Sequence, residues 1–159
     1  MGTLPQLIEE DIRTLDQELK EILQNSEAST AMVVDKGGFL INSAGEAAEF
    51  DLTTIAALAS GAYLATQTIA NLVQEPNFNS VYHQGEKFSL LILCIDEHCL
   101  LTVIFPASVG VGAVKYFALP ASARIANQLA IAAKRDPGNG MDLSVLNIAD
   151  TASMFKKKS

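Results

Sequence analysis

The chain has 159 residues, 49% of them hydrophobic and 18% charged, with a formal net charge of −7. This length suits one domain with short extensions, and the apolar share supplies a real core, which excludes wholesale disorder. The acidic balance disfavours nucleic acid as a partner. The apolar run from Ser89 to Ile95 is too short to span a bilayer, and the N-terminus lacks the basic start and apolar centre of a signal peptide. A cytosolic protein without membrane insertion is expected, with its two cysteines, Cys94 and Cys99, reduced and free of metal.

Leu4, Ile8, Ile12, Leu15, Leu19 and Ile22 recur at steps of three and four, which predicts a one-sided helix over residues 4–24. Its remaining face holds Glu9, Glu10, Asp11, Asp16, Glu18 and Glu21 and reads as a solvated surface. A short β-branched strand follows from Thr30 to Val34. The pair Gly37-Gly38 then supplies a hairpin turn, and Phe39 to Ser43 forms the returning strand. Asp51 or Thr53 caps a second helix that runs to about Val73 and stops before Pro76. Three strands are expected next, at Phe78–His83, Phe88–Ile95 and Cys99–Phe105. The last two are joined by a two-residue turn, Asp96-Glu97, which places Ile95 opposite His98 and Cys94 opposite Cys99. Residues 108–134 are helical, with Gly110, Val114, Phe117, Ala121, Ile125, Gln128 and Ala132 on one stripe and a kink or a new start near Pro120. Residues 135–159 read as a flexible tail with one weak amphipathic segment, marked by Val145, Leu146, Ile148 and Phe155. The order αββαβββα predicts an α+β domain, with a largely antiparallel sheet between helices.

Catalytic signatures are missing. The sequence has no phosphate loop, no dinucleotide-binding glycine pattern and no nucleophile elbow. His83 and His98 read as a strand end and a turn. Cys94, Asp96, His98 and Cys99 could be taken for a zinc site, but His98 and Cys99 are neighbours in the chain and a strand points them to opposite faces. No cofactor is expected. The informative element is the second helix. It carries no Lys, Arg, Asp or Glu from residue 52 to 73. Its stripe Ile55, Leu58, Ala59, Ala62, Ala65, Ile69 and Leu72 is expected to face the sheet, leaving Ala57, Ser60, Gly61, Leu64, Thr68 and Asn71 for another molecule.

Val33-Val34-Asp35-Lys36-Gly37-Gly38-Phe39-Leu40-Ile41-Asn42-Ser43-Ala44-Gly45 resembles the first hairpin of the Roadblock (dynein light chain) family. Leu58-Ala59-Ser60-Gly61, Ala70-Asn71-Leu72-Val73, His83-Gln84-Gly85-Glu86 and Val103-Ile104-Phe105 are most similar to its MglB-type branch of bacterial polarity regulators. The resemblance covers residues 7–134, so a Roadblock domain is assigned to residues 1–134. It implies a five-stranded antiparallel sheet with the middle helix on one face and the terminal helices on the other. It also implies a homodimer joined edge to edge, with Ala57, Gly61, Phe78, Val81 and His83 at the interface. The partner implied is a small Ras-like GTPase of the MglA type, seated on Ala57, Ser60, Gly61, Leu64, Thr68 and Asn71. The implied activity is stimulation of GTP hydrolysis in cell polarity or motility, without a catalytic site of the protein's own and with concentration at a cell pole. Leu64 and Thr68 are larger than the small residues the branch keeps at these positions. A Roadblock scaffold that leaves GTP turnover unchanged is the alternative.

Overall fold

The computed structural model describes residues 4–46 and 50–135. The weak amphipathic segment expected at 141–155 lies outside them, as does the rest of the expected tail beyond Arg135. The elements are α1 (Glu9–Ser26), β1 (Thr30–Asp35), β2 (Leu40–Gly45), α2 (Leu52–Leu72), β3 (Ser80–His83), β4 (Phe88–Cys94), β5 (Cys99–Pro106) and α3 (Val111–Lys134). The five strands form one antiparallel sheet in the order β2-β1-β5-β4-β3.

Strand alternation sorts the core into two layers. Ala31 and Val33 of β1, Leu91 and Leu93 of β4, and Leu101, Val103 and Phe105 of β5 point to α1 and α3. There they meet Leu15, Leu19 and Ile22 of α1 and Val114, Ala118, Ile125 and Leu129 of α3. Met32, Val34, Ile92, Leu100 and Ile104 point to the opposite face, which α2 covers with Leu52, Ala56, Ala59 and Tyr63. Each fully buried large side chain in these layers contributes about 1.5–3 kcal/mol. Gly38 closes the β1–β2 turn at φ +103°, where a side chain would be strained, and a β-carbon built there would touch Ala57 of α2.

Four expectations are corrected by this arrangement. α1 starts at Glu9, with Ile8 as its cap, and Leu7 rather than Leu4 or Ile8 is buried ahead of it. Asp11 belongs to the core rather than the acidic face. Its carboxylate accepts hydrogen bonds from the Ile8 amide, from Gln128 and, at 2.8 and 3.0 Å, from both terminal nitrogens of Arg135. α3 continues through Pro120 as one helix, so no new helix starts there. Pro120 is exposed while Ala118, Ala121, Ser122 and Ile125 are buried around it, so packing outweighs the one lost hydrogen bond. The buried stripe of α3 includes Ala118 and Leu129, while Phe117 and Gln128, placed on one stripe by their spacing, are half-buried.

The fourth correction concerns the β4–β5 turn. Cys94 pairs with Leu100, and the Ile95 amide donates to the Cys99 carbonyl, so the loop is Asp96-Glu97-His98. Asp96 holds it by accepting from the His98 and Cys99 amides at 2.8 and 2.9 Å, an Asx turn that needs a third residue. The shift puts Cys99 in the α1/α3 layer and Cys94 against the α2 layer.

Candidate functional site

The rotation of α2 about its own axis decides what the protein shows to others. The face on the sheet is Leu52, Ala56, Ala59, Ser60, Tyr63 and Ala70. Large side chains from the sheet fill this layer, so the helix approaches with small residues and one tyrosine. The larger aliphatics are left outside: Leu58 is 68% exposed, Leu64 51%, Ile69 52% and Leu72 78%. The expected sheet-facing stripe is therefore overturned at Leu58, Ala65, Ile69 and Leu72, which are exposed. An uncharged helix gives no polar stripe to fix its rotation from sequence, and ranking by side-chain size chose the wrong face.

Of the candidate partner residues, Ala57, Gly61, Leu64, Thr68 and Asn71 are exposed along one side of α2. Ser60 is not available, because it is buried and its hydroxyl donates to the Lys36 carbonyl in the β1–β2 turn. The Thr68 hydroxyl is satisfied by the Leu64 carbonyl of its own helix at 3.2 Å. The opposite side of α2 faces β3. Ala62 packs in the cluster that includes Val81, and Gln67 donates to the Phe78 carbonyl at 3.1 Å. Phe78 and Val81 are half-buried, with Val81 turned toward its own helix, while His83 is exposed. Among the described residues β3 pairs with β4 alone, so its outer row of amides and carbonyls has no described strand beside it. Such an edge is a template for another strand.

Gly61 sits mid-helix, and a methyl group built on it meets nothing within 4 Å. Glycine there costs the helix about 0.5–1 kcal/mol relative to alanine, and nothing in the chain's own packing requires it. Gly61→Ala should raise the thermal midpoint of the isolated chain, and a calorimetric scan checks it. A lowered midpoint would mean that the space above Gly61 is occupied, by the chain itself or by a second copy.

Groups that could do chemistry are dispersed. His98 lies 3.3 Å from Glu97 in the β4–β5 loop, and His83 is on the edge strand. Burial pushes the Cys99 thiol well above its ordinary range, with the nearby Asp96 and Asp35 carboxylates adding to the effect. Burial and the adjoining Cys94 likewise raise the Tyr63 phenol. A thiol held protonated is a poor nucleophile. Among the described residues, no group of three metal-ligating side chains is assembled. No described helix is long and apolar enough to cross a membrane.

Residues 14–105 match the Roadblock/LC7 domain. The chain belongs to the Roadblock/LC7 family. Its αββαβββα order and five-stranded sheet are those of the Roadblock fold, as the first-hairpin resemblance implied. The Roadblock chain is similar to an MglB with a tetrameric arrangement, at 26% identity and a TM-score of 0.75, over 83% of this chain and 99% of that one. Myxococcus xanthus MglB gives 28% identity and a TM-score of 0.75 over 81% and 97% of the two chains. The gliding protein MglB of Thermus thermophilus gives 28% and 0.72 over 84% and 98%. No curated protein sequence matches the chain significantly.

Proposed function

We propose that this Roadblock protein is a homodimeric regulator of a small Ras-like GTPase of the MglA type, one that stimulates GTP hydrolysis without a catalytic centre of its own. The observation that carries the reading is the exposed, charge-free face of α2 beside the open edge of β3, in a chain that is similar to MglB over nearly the whole of the MglB chains. A contiguous exposed apolar surface of this kind marks an interaction site. Two copies joined at β3 would bring two α2 helices side by side and double the platform. Symmetric pairs are the commonest oligomers.

The platform offers no arginine or lysine, so it cannot neutralise charge on a transferring phosphoryl group. Its part is positional: it holds the partner's switch region by shape and apolar burial, while the GTPase supplies its own charged groups. The protein acts in the cytoplasm, at a cell pole, in polarity or motility.

The test is GTP turnover by a Ras-like GTPase of the MglA type, measured with and without this protein, together with sedimentation of the regulator alone. We expect a particle of about twice the monomer mass and a turnover rate that rises with added dimer. A clean monomer at micromolar concentration, or turnover unchanged at saturating dimer, would defeat the reading. A second reading has its own support: Leu64 is 51% exposed and enlarges the platform at a position where the MglB branch keeps a small residue. A dimer that binds the GTPase and leaves turnover unchanged would make the protein a scaffold.

A further inference from the structure

The β1–β2 turn is tied to α2 at three points. A β-carbon built on Gly38 would come within 3.5 Å of the Ala57 α-carbon, so the turn lies directly on the helix. The Ser60 hydroxyl donates to the Lys36 carbonyl. The Lys36 ammonium stands 5.4 Å from the centre of the Tyr63 ring, within reach of a cation–π attraction. The turn is also closed on itself. The Asp35 amide donates to the Phe39 carbonyl at 2.8 Å, the Gly38 amide to the Asp35 carbonyl at 2.7 Å, and the Gly37 amide to the Asp35 carboxylate at 3.1 Å. The Lys36 amide reaches the His98 carbonyl of the β4–β5 loop at 2.8 Å. Held in this way, the turn presents Phe39 with 72% of its surface exposed. Among the described residues no buried cluster includes Phe39, whereas its neighbour Leu40 packs under α2.

We propose, resting on the GTPase reading of α2, that Phe39 is a further anchor for that same partner and enters an apolar pocket on the GTPase. An exposed apolar side chain standing alone is ordinary. Phe39 does not stand alone. Gly38 joins it to Ala57, the first residue of the exposed row that continues through Gly61 and Leu64, and Leu58 beside Ala57 is 68% exposed. Buried aromatic anchors carry much of the energy of an interface. The locked backbone of the turn lowers the entropy lost when such an anchor binds. Strand order then selects the occupant. Phe39 leads into β2, which lies at the edge of the sheet opposite β3, four strand spacings or about 19 Å away. Ala57 and Gly61 lie on the side of α2 turned away from β3, since Ala62 and Gln67 make the contacts with the β3 side. Two copies joined at β3 therefore leave Phe39 uncovered, and a partner seated on the row from Ala57 to Leu64 meets it.

The experiment titrates the full chain and its Phe39→Ser and Phe39→Leu variants with an MglA-type GTPase loaded with a non-hydrolysable GTP analogue, with Leu64→Arg as the reference for loss of the α2 surface. We expect Phe39→Ser to melt and sediment as the parent does and to bind on the order of thirtyfold more weakly, and Phe39→Leu to keep most of the affinity. A photocrosslinking phenylalanine analogue at position 39 should join the chain to the GTPase. The crosslink keeps an aromatic ring at the site, so it decides even where the serine variant melts early. Parent-like affinity of a folded Phe39→Ser chain, beside a weakened Leu64→Arg chain, would overturn the anchor and leave the reading of α2 standing. Crosslinking only to a second copy of the chain would do the same. A parent chain that does not bind the GTPase at all would overturn both.

Discussion

A Leu64→Arg chain should melt within a few degrees of the parent and, on the proposed role, bind a partner GTPase on the order of a hundredfold more weakly. Leu64 is half-exposed on α2, away from the sheet-facing residues Ala59 and Tyr63, so arginine projects into solvent in the free protein. Arginine is also a good helix former. In the complex the cation would be buried at the centre of a platform that offers no carboxylate anywhere along α2. The loss corresponds to about 2.7 kcal/mol, well within the cost of burying an unpaired charge. Thr68→Arg, one turn further along, should act the same way, since it removes only a bond to the helix's own Leu64 carbonyl. Affinity by calorimetry and melting by circular dichroism, taken on the same samples, decide the matter. Unchanged affinity in a folded Leu64→Arg chain would place the partner elsewhere. Unfolding of both variants would show that this side of α2 is core.

Asp11→Ala should destabilise the isolated domain by about 2–4 kcal/mol. Asp11 is fully buried and serves two helices at once, as the acceptor of the Ile8 cap and as the anchor of Gln128 and Arg135. Burial alone would raise its pKa. The hydrogen bonds from Arg135, Ile8 and Gln128, with the charge of Arg135, outweigh burial and hold the carboxyl below its ordinary 3.8. A depressed folded-state pKa adds stability that is present above the unfolded value, near pH 4, and is lost as pH falls through the folded value. Denaturation by urea between pH 2 and 7 should therefore show a loss of stability on the acid side that is smaller in Asp11→Asn than in the parent. Parallel curves for the two chains would mean that Asp11 is not ionised in the native state.

The element order was legible because turn chemistry and periodicity agreed along most of the chain. Gly37-Gly38 marked the first hairpin, Asp51 capped α2 and accepts from the Thr54 amide, and the strands were apolar runs bounded by polar turns. What stayed hidden depended on tertiary partners. Asp11 looked like one acid among six because Arg135, which neutralises it, is 124 positions away. Its one local signal was its place at the third position of α1, where a carboxylate reaches back to the cap amide. The side of α2 that faces outward was obscured by its uniform lack of charge, which leaves no polar stripe to set the helix's rotation. Ser60 illustrates the point: small and polar, it read as surface, and it is instead the contact that ties α2 to the β1–β2 turn.

The strand order also shapes how the chain assembles. β1–β2 and β3–β4–β5 each close through short connections, hairpins of the kind that form on a microsecond scale. Their junction is different: β1 lies along β5, with Asp35 opposite Cys99, 64 positions further along. Closing a loop of that length costs about 2–3 kcal/mol more entropy than closing a four-residue turn. The helical layers gain most of their support only once this seam exists, since α1 rests on both β1 and β2 and α3 packs on α1. Until the two halves meet, β5 has a bare side of alternating leucine, valine and isoleucine backbone, open to any strand in reach. The β1–β5 pairing thus carries the longest loop closure in the sheet, and it places β5, the longest strand, at the centre and leaves shorter strands at the edges.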